Sequence, residues 1–189
     1  TNIDREHMDF YKSMSDLKNL FLEFINKVPS FGKSFICIDD KNNLELTKKI
    51  KIKNYYTYGT NPKSQFYIKN IKQEKEFSEY DLSITLPGKK DISINKIKIP
   101  LLGIHNIRNA TAAVAVSSTI GISRKVIKKG LKEFKGVQRR FNKIFTYRET
   151  SFYDDYAHHP TEIKEVLNGV RSAYKKNEII CIFQPHRIS

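Results

Sequence analysis

The chain has 189 residues, with 34 Lys plus Arg against 20 Asp plus Glu and a formal charge of +14. Its 39% hydrophobic and 12% aromatic content supplies a packed core and excludes a disordered composition. No run approaches the roughly 20 apolar residues of a membrane span, and TNIDREHMDF lacks the basic start and apolar stretch of a secretory leader, so a soluble, cytoplasmic protein is expected. Cys37 and Cys181 each sit inside an apolar run, where a thiol serves as a small core residue, which excludes a disulfide framework or a cysteine zinc site.

The charge suggests an anionic partner, whether nucleic acid, nucleotide or anionic lipid. The lysines, however, lie in scattered groups such as Lys48-Lys49, Lys89-Lys90, Lys128-Lys129 and Lys175-Lys176, as on solvated faces. A basic nucleic-acid-binding module stays as an alternative, whose mark is tight binding that falls steeply with salt.

In chain order, Leu17, Leu20, Phe21, Phe24, Ile25 and Val28 recur at helical spacing and predict an amphipathic helix over residues 16 to 28 with Ser15 as its N-cap. SFICID (34 to 39) and NYYTYG (54 to 59) read as strands on either side of a helix at 42 to 49. From about Gln65 to Pro100 polar and apolar residues alternate, which predicts an antiparallel meander or hairpin with PGKKD as its last turn. HNIRNATAAVAVSSTI (105 to 120) is an Ala-rich helix ending at Gly121, and Ser123 caps the next one. GVQRRF, residues 136 to 141, reads as a linker. Beyond it SFYDD, a helix capped by Thr161 and the apolar run EIICIF make a βαβ unit, which implies parallel strands and a right-handed crossover. The chain begins abruptly and stops one unit into a larger sheet, so it is expected to be an internal piece of a longer protein.

The five histidines fall in four polar segments at strand ends and helix starts. Parallel pairing in the βαβ unit would place DDYAHHP and QPHR at one carboxyl edge, where open α/β sheets bind ligands. Asp154, Asp155, Tyr156, His158, His159, His186 and Arg187 would then converge beside a helix N-terminus. That mixture suits a sugar or nucleotide hydroxyl plus a carboxylate or phosphate, against the alternative of a satisfied hydrogen-bond cluster. Asp4, Glu6, His7 and Asp9 offer ligands for a divalent cation. Asn106 and Asn109, three apart at a helix start, either read a purine edge or act as a cap and a solvated residue. Arg139 and Arg140 either reach a phosphate on the preceding domain or pair with an acid. GKS at 32 to 34 does not end a phosphate-binding loop: Lys27 stands where that loop requires glycine, and the segment leads into a strand.

Taken together, TNIDREHMDFY, GIHNIRNATAA, GVQRRF, DDYAHHPTEI and FQPHR resemble, in order, the motifs of the Mur ligase family. The resemblance runs over nearly the whole chain, with little motif information between residues 40 and 100. DDYAHHPTEI with FQPHR favours the alanine-adding member over the relative that reattaches recycled peptide, which is the nearest alternative. The implied fold class is α/β: residues 1–136 as the later part of a central ATPase domain with its antiparallel meander, and residues 137–189 as the first βαβ of a Rossmann-like C-terminal ligase domain.

The resemblance also implies the chemistry. An ATP-dependent amide ligase would join L-alanine to UDP-N-acetylmuramate through an acyl phosphate, for peptidoglycan precursors, with ATP and Mg2+ required. His7 would bind magnesium, Asn106 and Asn109 adenine, Arg140 the ATP phosphates and Asp155 the ribose. Tyr156, His158 and Arg187 would lie near the muramoyl-alanine end, with Arg140 and His158 as the catalytic groups. Asp4 and Glu6 replace the family's usual Glu and Asp, and Arg108 replaces an apolar residue, adding a phosphate contact or facing solvent. The family's arginine three residues after Arg187 lies past the end of the sequence. Because the phosphate loop and the UDP-binding domain are absent from these residues, the 189-residue chain alone is expected to show no ligase turnover.

Overall fold

The structure is a computed structural model that describes residues 1–6 and 8–185. α1 (Met14–Asn26) leads into β1 (Ser34–Cys37), which α2 (Lys41–Thr47) joins to a parallel neighbour, β2 (Tyr55–Gly59). β3 (Phe66–Gln73) pairs parallel with β2 over Tyr58–Phe66 and Gly59–Tyr67, and then β4 (Ser78–Ile84) and β5 (Ile92–Ile99) continue antiparallel. The five strands lie in sequence order. Alternation explains the meander: Ser78, Tyr80, Leu82 and Ile84 are buried along β4 while the residues between them stay half exposed.

α3 (Ile104–Thr119) covers this sheet, bringing Ile107, Val114 and Ala115 against Tyr58, Phe66, Leu82, Ile97 and Ile99. Its end is set by Gly121 at φ +87: Gly121 N–H donates to Ser118 O and Ile122 N–H to Ser117 O, the paired bonds that close a helix over a left-handed residue. α4 (Arg124–Glu133) follows, with the Ser123 hydroxyl accepting from Val126 N–H as the sequence predicts.

At the carboxyl end of β1 and β2 one buried carboxylate organises the backbone. Asp39 accepts from Thr60 N–H and Thr60 hydroxyl at 2.9 Å each, from Asn61 N–H at 2.9 Å, and from Arg108 Nε at 2.7 Å. Arg108 thus ties α3 to the sheet edge through its Nε. Burial pushes the Asp39 carboxyl up, but these donors outweigh it and hold the group below its ordinary value. Gly59, at φ +144, leaves room for it, since a Cβ there would sit 2.4 Å from Asp39 Oδ1.

Several expectations are corrected. The N-cap of α1 is Ser13, not Ser15: its hydroxyl accepts from Asp16 N–H and donates to Asp16 Oδ2, which starts the helix earlier. Only Leu17 of the α1 stripe is buried, in a small cluster with Ile3 and Leu46, while Phe24 is 72% exposed. After the linker, β6 (Asn142–Tyr147) was not foreseen; it pairs antiparallel with β7 (Thr150–Asp154) through a turn in which Arg148 takes φ +44. α5 (Pro160–Ala173) is capped by His159 rather than Thr161, because Pro160 takes the first helical position, where its missing N–H is no loss. The run EIICIF forms no strand. Ile182 is 94% exposed and Cys181 is exposed rather than in a core, because β7 pairs with β6 and offers the run no parallel partner among the described residues. The βαβ unit is therefore present only as its first strand and helix.

No helix among the described residues is long and apolar enough to cross a membrane.

Gly59→Ala is expected to destabilise the chain by about 1–3 kcal/mol, through backbone strain and collision with Asp39. Combined with Asp39→Ala the two losses should fall short of additive, because the collision partner is gone. Urea unfolding of the two singles and the double checks this, and full additivity would contradict it.

Candidate functional site

α5 and α3 meet where the two parts of the chain touch. A Cβ on Gly169 would stand 2.8 Å from Gly103 Cα, so two glycines let the backbones close to a distance that no larger residue permits. Leu102, His105 and Asn106 on one side and Phe141, Val166 and Val170 on the other line a cavity of about 10 Å³, room for one water and far too small for a nucleobase. The ends of α5 are tied as well. Thr161 hydroxyl donates to Asp4 Oδ2 at 2.5 Å, His159 Nδ1 lies 3.9 Å from the same oxygen, and Tyr174 hydroxyl donates to Lys75 O at 3.2 Å. The Thr161 hydroxyl, then Arg5 N–H, hold the Asp4 carboxyl below its ordinary value. Tyr174 is pushed up to about 12 by burial and by its hydrogen bond with Tyr153.

The linker and the loop after β7 are bound into one unit. Arg139 and Phe141 adopt φ +57 and +52. Asp155 Oδ2 accepts from Phe141 N–H at 2.8 Å and Oδ1 from Ala157 N–H at 2.7 Å, while Tyr156 N–H donates to Arg139 O at 2.8 Å. The Arg139 guanidinium lies 4.7 Å over the Tyr156 ring, which meets the His158 ring edge-on at 5.4 Å. Arg140 Nη1 reaches Glu162 Oε1 at 3.3 Å, and Glu162 Oε2 accepts from His158 N–H at 3.4 Å. Burial pushes the Glu162 carboxyl up, but the His158 N–H and Arg140 outweigh it, leaving it below its ordinary value. Arg140 is half exposed, and an exposed pair of this kind contributes at most about 1 kcal/mol, so its guanidinium is held loosely. His158 Nδ1 lies 3.2 Å from Tyr156 O; a proton on Nδ1 satisfies that carbonyl and makes Nε2 the acceptor. His158 also borders an open groove of about 510 Å³ along α5, with Ile163, Leu167 and Phe183.

Arg140, Asp155, Tyr156 and His158 are thus brought together by the linker and the loop after β7, not by the parallel strand pair expected to join two strand ends, which does not form among the described residues. Asn106 lies across the small cavity from Phe141, and its amide donates to Leu102 O at 2.7 Å. Asn109 is exposed one turn further along α3. His7, His186 and Arg187 lie outside the described residues. Sequence reasoning gave Asp4 to a cation and Thr161 to a helix cap and named no role for Glu162, whereas all three hold the junction. The Ser/Thr/His-x-x-Glu spacing from His159 to Glu162 is the kind of helix-start signal that marks Glu162. It also gave no role to His105, whose imidazole is pushed below its ordinary value by burial while the charges of Glu165 and Asp155 oppose that and those of Arg108 and Arg140 add to it. Charges from the linker, the β7 loop, α3 and α5 therefore all act at one imidazole.

A family model described as the Mur ligase middle domain matches residues 1–117, and one described as Mur ligase, glutamate ligase domain matches residues 139–188. The whole chain is 80% identical to a UDP-N-acetylmuramate–L-alanine ligase of Pelagibacter ubique and 44% identical to that of Brachyspira hyodysenteriae, covering 41% and 40% of those proteins. The chain therefore spans about two fifths of the length of these curated relatives. The crystal structure of the UDP-N-acetylmuramate-alanine ligase of Thermotoga maritima superposes with a TM-score of 0.74 at 27% identity, over 97% of this chain and 40% of that one.

Glu162→Gln should lower stability by no more than about 1 kcal/mol at pH 7. Because the Glu162 carboxyl is held below its ordinary value of 4.5, its contribution is complete above that value and disappears as pH falls through the lowered one. The difference between the variant and the unaltered chain should therefore shrink below about pH 4.5 in urea unfolding; a difference that grows on acidification would contradict the assignment.

Proposed function

The chain belongs to the Mur ligase family, and from that premise we propose that it is the junction region of an ATP-dependent ligase that adds L-alanine to UDP-N-acetylmuramate in the cytoplasm, for peptidoglycan precursors. We place the boundary between its two domains at residues 136 and 137. The observation that carries the reading is the junction itself: Asn106 of the first part and Phe141, which Asp155 holds next to Arg140, line one cavity. A nucleotide bound at the start of α3 therefore lies within reach of groups from both parts.

In this reading Asn106 and Asn109 take the adenine outside the small cavity. Asp155 accepts a ribose hydroxyl with its remaining lone pairs while its two oxygens keep the linker in place. Arg140 leaves its weak pair with Glu162 and turns to the phosphoryl oxygens. The lactyl carboxylate of UDP-N-acetylmuramate attacks the γ-phosphorus, ADP leaves, and an acyl phosphate forms; a guanidinium placed where charge spreads over the phosphoryl oxygens is the stabilising element. The neutral amine of L-alanine then attacks the acyl carbon, and the tetrahedral intermediate expels inorganic phosphate. Tyr156, His158 and Arg187 are proposed at the muramoyl-alanine end. His158 sits beside the open groove, with Nε2 as acceptor for a proton from the incoming ammonium.

Magnesium is proposed through His7. Among the described residues no group of three or more His, Cys, Asp or Glu side chains forms a cation site, and Asp4, the near candidate, is engaged by Thr161.

The test uses the full-length protein. L-Alanine should stimulate ATP-dependent phosphate release in the presence of UDP-N-acetylmuramate, and other amino acids or a recycled peptide should not. Asn106→Ala and Asp155→Ala should each weaken ATP binding by about tenfold or more, whereas Arg140→Met should lower kcat by about 10²–10³-fold. Unchanged ATP affinity in both Asn106→Ala and Asp155→Ala would refute the nucleotide site. Tight duplex binding with a steep salt slope would favour the nucleic-acid alternative.

A further inference from the structure

We propose that His105 and Glu165 are a positioning pair for the ligase reaction, joined by a hydrogen bond from His105 Nδ1 to Glu165 Oε2 that forms as α5 settles onto the start of α3 around bound nucleotide. This rests on the nucleotide site put forward above. Both atoms are buried, and among the described residues neither has a hydrogen-bond partner. An orphaned donor on one helix and an orphaned acceptor on the helix packed against it are each unfavourable alone and are resolved together by one bond.

The surroundings permit the movement. The helices touch through Gly103 and Gly169, so the closest contact between them carries no side chain of its own. The cavity of about 10 Å³ beside His105 is the slack into which the packing can close. Glu165 on α5 and Asp155 after β7 are the acids that face the imidazole, and Arg108 on α3 and Arg140 in the linker the cations. With two cations and burial acting against its protonation, His105 is a neutral donor with one N–H, which suits a bond from Nδ1 to a carboxylate.

The consequence is for geometry rather than chemistry. His105 precedes Asn106 on α3, and Phe141, which follows Arg140, lines the same cavity. Locking His105 to Glu165 therefore fixes the adenine-side asparagine relative to the phosphate-side arginine. Neither His105 nor Glu165 needs to touch substrate.

The experiment measures kcat for alanine addition and equilibrium ATP affinity in the full-length protein. His105→Ala and Glu165→Leu should each lower kcat by about tenfold and weaken ATP affinity by about two- to fivefold, the share of a bond made only with nucleotide bound, and the double variant should be no worse than the poorer single. Glu165→Gln, which keeps an acceptor oxygen in the same shape, should hold kcat within about threefold, and serves even where the harsher changes impair folding. Additive losses in the double variant, a Glu165→Gln enzyme as poor as Glu165→Leu, or an ATP affinity unchanged in both His105→Ala and Glu165→Leu would each overturn the pair. Should the unaltered protein bind ATP but add no alanine, the ligase reading fails separately. The pair is then read from ATP-dependent protection of the linker against proteolysis, which Glu165→Leu should abolish and Glu165→Gln preserve; equal protection in both would overturn it.

Discussion

Two glycines in backbone contact, Gly103 and Gly169, are the constraint on which the arrangement of this chain depends. With a Cβ on Gly169 only 2.8 Å from Gly103 Cα, any other residue there would lift α5 from α3. The apolar surface formed by Leu102, Phe141, Val166 and Val170 would then open to water. The polar ties at either end of α5 are no substitute. Thr161 and Tyr174 bond at exposed sites, and Arg140 and Glu162 form a partly exposed pair that contributes little.

A second constraint acts one layer further in. Asp39 collects four donors at the carboxyl end of β1 and β2, one of them from Arg108 on α3. The helix that carries Asn106 and Asn109 is thereby registered against the edge of the sheet, the usual place for a ligand in an open α/β layer. Gly59 gives up a side chain so that the carboxylate fits. The chain thus holds α3 from below through Asp39 and from above through Gly169, and leaves its first turn facing the junction.

Much of this was legible in the residues. The strict alternation of β4, the glycine that ends α3 and the serine that caps α4 each encode a local geometry with one physical solution, and all three are where the pattern places them. The meander followed for the same reason. Asp155, Tyr156 and His158 were readable as neighbours because one loop carries them, but their meeting with Arg140 depends on the bonds between linker and loop, which no spacing shows. What could not be read depends on long-range choices. Whether β7 pairs with a run before or after it is decided by β6, whose Ile144, Phe145, Thr146 and Tyr147 favour a strand but do not say which neighbour it takes. The cap of α5 passed from Thr161 to His159 because a proline intervenes and because Asp4, over 150 residues away in sequence, takes the threonine hydroxyl. The engagement of Arg108 with Asp39 likewise joins residues 69 apart in sequence, and no local spacing announces it.

The most direct test is a crystal structure of the full-length protein with ADP bound. The account predicts Gly103 and Gly169 in backbone contact, with Asn106 or Asn109 on the adenine and Asp155 on the ribose of the same nucleotide. A nucleotide held by α3 alone, with α5 lifted away and Asp155 out of reach, would contradict it.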